Sequence, residues 1–166
     1  MHRMKIGMVF LDQAKGAAVI TLIDETGKRG LPFLIGVPEA LAIFRELNRY
    51  LPPRPMVYDL FKNVLDGLGV NVERVVIDAF KDDTFYANIF MHIDRSVVVA
   101  DARPSDAIAL ALKTQAPIYV VDEVLDNAEA MGLTIAAQQE GGGDELQDWL
   151  KNVKPEDFRD GEEADR

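Results

Sequence analysis

Two short runs hold the residues best suited to chemistry: Arg54-Pro55-Met56-Val57-Tyr58-Asp59 and Asp101-Ala102-Arg103-Pro104-Ser105-Asp106. In each, an arginine stands directly before a helix-starting proline, and an aspartate follows shortly after. Proline suits the first turn of a helix, where no backbone N–H is needed. The exposed N–H groups of that turn favour an anion. An arginine can grip phosphate through two parallel hydrogen bonds, and paired carboxylates can hold a divalent ion that activates water. If both helix starts open on one cleft, the pattern points to phosphodiester hydrolysis. Asp59, Asp101 and Asp106 would be the metal-binding or acid/base carboxylates. Arg54 and Arg103 would hold the scissile phosphate, with Glu39 a further candidate for the same cleft. The same residues also make a plain helix start, with Arg103 and Asp106 as a structural ion pair.

The elements that must position these residues read in mixed order. Met4 to Leu11 and Ala17 to Ile23 are expected as strands, followed by Leu31 to Ile35. Gly36 and Pro38 open a helix through Leu47. The run Leu51-Pro52-Pro53-Arg54-Pro55 makes a stiff connector into a second helix, from about Met56 to Leu68. Val57, Leu60, Phe61, Val64, Leu65 and Leu68 mark the apolar side of that helix, which is expected to face the core. Val70 to Phe80, Thr84 to Ile93 and Ser96 to Ala100 form an antiparallel meander with tight turns. A helix from Pro104 to about Thr114, a short strand from Pro117 to Val121 and a helix ending near Gly132 complete the body. Strands and helices do not alternate regularly, so the expected class is α+β, a mostly antiparallel sheet with three to four packed helices.

A body over residues 1–135, a Gly-rich linker over 136–143 and an acidic tail with a short helix over 144–166 is the expected organisation. The chain's 166 residues suit one domain with a tail. Its net charge of −10 argues against a broad electrostatic grip on nucleic acid, and no stripe of lysine or arginine relieves it. Contact with nucleic acid must be local, through residues such as Arg54, Lys62, Arg74, Lys81 and Arg103. There is no cysteine, hence no disulfide framework and no thiolate site, and a cytoplasmic location is the simplest expectation. No run is apolar enough to cross a bilayer, and a secretory signal is not expected. With only His2 and His92 available, a histidine-built metal site is not expected. A bound ion would be Mg²⁺ or Mn²⁺ on carboxylates. Phosphate-binding glycine loops and the serine elbow of hydrolases are missing.

The ordered set I-G-V-P-E-A-L-A-I (35–43), P-P-R-P-M-V-Y-D-L (52–60), D-T-F-Y-A (83–87), D-A-R-P-S-D-A-I-A-L-A (101–111) and P-I-Y-V-V-D-E-V-L-D (117–126) resembles the bifunctional nuclease family. The likeness spans roughly residues 4–130, and the tail run W-L-K-N-V-K-P-E-D-F (149–158) is similar to tails of bacterial members. The resemblance implies an α+β body that self-associates as a homo-oligomer and acts on RNA and DNA. The chain departs from the pattern at Tyr58, where many members carry histidine. An ordinary tyrosine, with a pKa of about 10, donates a proton at neutral pH but is a poor base. The alternative function is a non-catalytic regulatory or binding module, taking a partner or a small anionic ligand at the helix starts.

Overall fold

The computed structural model describes residues 1–12 and 16–130. The linker and tail expected beyond residue 135 lie outside the described residues, as does most of the turn expected before Gly16. Seven strands form one sheet: β1 (His2–Asp12), β2 (Ala17–Asp24), β3 (Gly30–Gly36), β4 (Val70–Lys81), β5 (Thr84–Ile93), β6 (Ser96–Ala102) and β7 (Ile118–Val120). Four helices accompany them: α1 (Val37–Leu47), α2 (Val57–Gly67), α3 (Pro104–Thr114) and α4 (Asp122–Ala130). The fold is α+β.

The sheet order is β3-β2-β1-β7-β4-β5-β6. Two antiparallel meanders, β1–β2–β3 and β4–β5–β6, are joined through the three-residue β7. This strand runs antiparallel to β1 and parallel to β4, the sheet's single parallel pairing among the described residues. The sheet curls. Phe33 on the edge strand β3 meets Phe85 on β5 edge-to-face, with ring centroids 5.0 Å apart, although five positions separate these strands in the order. Helix α4 touches both β3 and β4, and Arg29 at the mouth of β3 binds Asp126 and Glu129 on α4.

The apolar residues of β4 change parity between Val72 and Val75, and the structure explains it. A bulge at Glu73 places two residues opposite one step of β5, so that Val72 and Val75 both turn to the core.

Helix α3 lies against β4 and β5, flanked by α1 and α2. Ala107, Ile108, Ala109, Leu110 and Ala111 are all buried, and the three alanines let neighbouring elements come close. Helix α2 departs from expectation. Of its apolar residues only Leu65 is buried, while Val57, Leu60, Phe61, Val64 and Leu68 face outward. Tyr58 and Lys62, not that stripe, are the half-buried neighbours of Leu65 on its inner side. The sequence pattern shows that the helix has an apolar face; the side turned inward instead carries Tyr58 and Asp59, bonded to Asp106 and Lys113 of α3.

Candidate functional site

Two helix starts meet. Helix α3 begins at Arg103, whose extended backbone leads into Pro104. Its guanidinium bends back over the first turn. Nε donates to Asp106 Oδ2 at 2.7 Å, and Nη2 donates to Asp106 Oδ1 at 3.1 Å and to Glu39 Oε1 at 2.9 Å. Glu39 stands in the first turn of α1 and Asp106 in that of α3, each where an anion is favoured. Helix α2 contributes Tyr58, whose hydroxyl donates to Asp106 Oδ1 at 2.6 Å. First turns of three helices are thus tied through one carboxylate and one guanidinium.

A second knot lies further along α3. Lys113 Nζ binds Glu46 of α1 at 2.8 Å and also Asp59 of α2. Asp59 in turn accepts the Met56 backbone N–H at 2.8 Å, capping the start of α2. The electrostatics follow from these contacts. Burial alone would raise the Asp106 carboxyl, but the bonds from Arg103 and Tyr58 hold it below the ordinary carboxylate value. Lys113 lowers Asp59 against the opposing effect of burial, with help from the Met56 N–H. Burial and the neighbouring carboxylate push the Tyr58 phenol upward. Tyr58 therefore stays protonated and serves as a fixed hydrogen-bond donor.

Both knots border a cleft of about 610 Å³. Its floor and apolar wall come from Ile89, Ala100 and Ala102 of the sheet and from Val57 and Phe61 of α2. Five carboxylates reach it: Glu39, Glu46, Asp59, Asp101 and Asp106, against the cations of Arg45 and Arg103. Four of these carboxylates are engaged by Arg103 or Lys113. Asp101, exposed on β6, has no ion-pair partner among the described residues. Arg103 is itself 65% exposed, and its Nη1 donates to no group among the described residues.

Among the expected site residues, Asp59, Asp101, Asp106 and Arg103 line this one cleft, with Glu39 beside them. Arg54 does not: it sits exposed on the connector before α2, outside the cleft wall. The three aspartates do not form a ligand set. Among the described residues no three Asp, Glu, His or Cys groups come together as a metal would require. Sequence reasoning missed Lys113, Glu46 and Arg45. A signal for two of them existed. Glu39 and Glu46 are seven residues apart on α1, and Asp106 and Lys113 are seven apart on α3, so both pairs fall on facing helix sides. Gly36 is a further feature. A Cβ there would collide with the Glu39 carboxylate, which folds back over the start of α1.

The sequence profile of the bifunctional nuclease domain matches residues 20–132, and so includes every residue of both knots. This chain belongs to the bifunctional nuclease domain family. An uncharacterized protein of Mycobacterium tuberculosis (strain H37Rv) is 33% identical to this chain over 165 residues, 96% of this chain and 99% of its own length. Bifunctional nuclease 2 of Arabidopsis thaliana is 28% identical over 107 residues, 63% of this chain and 32% of the plant protein. Bifunctional nuclease 1 of Oryza sativa subsp. japonica is 24% identical over 112 residues, 66% of this chain and 34% of its own length. The chain thus spans about a third of the plant proteins that it matches. No helix among the described residues is long and apolar enough to cross a membrane.

Proposed function

We propose that this chain hydrolyses phosphodiester bonds in RNA or DNA at the cleft between α2, α3 and β6, acting in the cytoplasm. The observation that carries the reading is the state of two groups in that cleft. Arg103 keeps Nη1 unspent, and Asp101 is the one unpaired carboxylate beside it among the described residues. Arg103 Nη1 donates to a non-bridging oxygen of the scissile phosphate and gains strength as charge builds there. Asp101 takes the proton of the attacking water. The leaving oxygen takes its proton from solvent. Glu39, Asp106 and Tyr58 hold Arg103 in place and do not react. Exposed Tyr50 at the cleft rim offers a face on which a base can stack.

The carboxylates present do not fit a resident Mg²⁺ or Mn²⁺, so no step passes through a metal. Both ions belong in the assay because substrate phosphates can bring an ion with them. One observation favours a second reading, a non-catalytic module that binds a small anion: four of the five cleft carboxylates are already neutralised.

The test is cleavage of single- and double-stranded RNA and DNA by purified chain, with Mg²⁺, with Mn²⁺ and with chelator. Asp101→Asn should slow cleavage by about 10²-fold or more and leave the melting temperature unchanged, since the side chain is exposed and unpaired. Unchanged cleavage in Asp101→Asn overturns the assignment. Absence of cleavage in every condition, with nucleotides raising the melting temperature, favours the binding module.

A further inference from the structure

We infer that this cleft takes a single nucleic-acid strand laid along α1, with one phosphate on Arg103 and the next on Arg45. The inference rests on the hydrolytic reading above and adds the path of the strand and the group that holds its second phosphate. Glu39, Ala42, Arg45 and Glu46 all line the cleft. Their spacing of three and four residues sets them on one face of α1. Arg103 is bound to Glu39 at one end of that face. Arg45 stands six positions further on, about 9 Å along the helix axis. Between them Ala42 carries only a methyl group, which leaves room for a sugar–phosphate backbone.

Arg45 is free to act. It is half-buried, and its guanidinium has no hydrogen-bond or ion-pair partner among the described residues. Glu46 and Asp59, which share the cleft with it, are both bonded to Lys113. A cation in the last turn of a helix is favoured by the helix dipole, but that leaves its N–H donors unspent. An arginine in this state suits a phosphate, which accepts two parallel bonds. Tyr50 lines the same cleft, and its backbone N–H donates to the Arg45 carbonyl at 2.9 Å. Its exposed ring gives the nucleotide held by Arg45 a stacking face.

Two features select a single strand over a duplex. The cleft volume of about 610 Å³ falls within the ~300–1,000 Å³ of small-ligand sites, room for unstacked nucleotides and too little for paired strands. A duplex also brings a second backbone, and a chain of net charge −10 with no basic stripe has nothing to receive it. A single strand needs only the two arginines.

The experiment is stopped-flow fluorescence anisotropy, which reads binding before turnover. The full chain is mixed with a labelled short oligothymidylate, alone or paired with its complement, over a range of salt. The single strand should bind about tenfold or more tighter than the duplex. Arg45→Ala should weaken single-strand binding by about tenfold or more. It should also flatten the slope of log affinity against log salt by about 0.7, the loss of one phosphate contact on a single strand. Arg45→Lys should keep the slope, because the charge remains. A merely structural Arg45 would lower the melting temperature and leave the slope alone. Should Arg45→Ala fail to fold, Arg45→Gln repeats the test with a longer side chain. Equal affinity for single strand and duplex overturns the proposal, as does an unchanged slope in the neutral variant. Cleavage is read separately. Binding that depends on Arg45 without cleavage in any condition supports the strand path and overturns hydrolysis, whereas cleavage with a slope indifferent to Arg45 overturns the path alone.

Discussion

Helices α2 and α3 begin with nearly the same residues and end in different environments. Each opens with arginine, proline and a nearby aspartate in its first turn. At α3 the arginine folds back over the helix start, because Glu39 on α1 and Asp106 offer two carboxylates within reach. At α2 the aspartate is drawn to Lys113 instead, and Arg54 is left outside the cleft. A motif therefore sets which groups are available, and the elements packed opposite decide which are used. The helices themselves differ in the same way. Ala107 to Ala111 of α3 are buried on every side of the helix, whereas the stripe of α2 is in solvent.

That contrast can be broken by truncation. Leu110→Ala in α3 should cost about 2–5 kcal/mol of unfolding free energy, as for a fully buried leucine. Leu60→Ala in α2 should cost well under ~1 kcal/mol, as for an exposed position. Urea unfolding reads both. Equal costs would mean that α2 packs as the sequence pattern suggests, with its stripe inward.

The next largest effect concerns Lys113, which is 16% exposed and the shared cation of Glu46 and Asp59. Lys113→Ala leaves two partly buried carboxylates without a counter-charge and should cost about 2–3 kcal/mol. Its pH dependence sharpens the point. Asp59 and Asp106 are held below their ordinary value in the folded chain. Their stabilisation is complete above the unfolded carboxylate pKa of about 3.9 and is lost as pH falls through the lower folded value. Wild type should therefore lose stability on acidification below about pH 4. Lys113→Ala should lose less over that range, because Asp59 no longer has its cation. An identical acid profile in the two proteins would assign the acid sensitivity to other groups.

Much of the fold was legible. Proline and glycine punctuation set the starts of α1 and α3 and the stop of α2, and alternation with tight turns set β4, β5 and β6. The three-residue β7 was legible as a strand but not as the seam between two meanders, because parallel pairing with β4 depends on contacts distant in sequence. Among the residues that line the cleft, Asp59, Asp106 and Arg103 were legible from residue type and helix position, and Asp101 from the strand end before α3. Their roles as partners of Lys113 or Tyr58 were not, since those contacts span 54 and 48 positions and follow only from helix packing. The outward turn of the α2 stripe was illegible for a similar reason. Periodicity measures how apolar a face is, and not which side the rest of the molecule takes.

We propose that Arg103 works on the scissile phosphate and that Arg54, outside the cleft, does not. It is tested most directly by the cleavage rate of Arg103→Ala and Arg54→Ala measured side by side on one nucleic-acid substrate. Loss of Arg103 should lower the rate by about 10²-fold or more, as for removal of a donor to a developing oxyanion. Loss of Arg54 should change it by less than about fivefold, as for a screened surface charge. Equal losses, or a rate that survives in Arg103→Ala, would contradict the account.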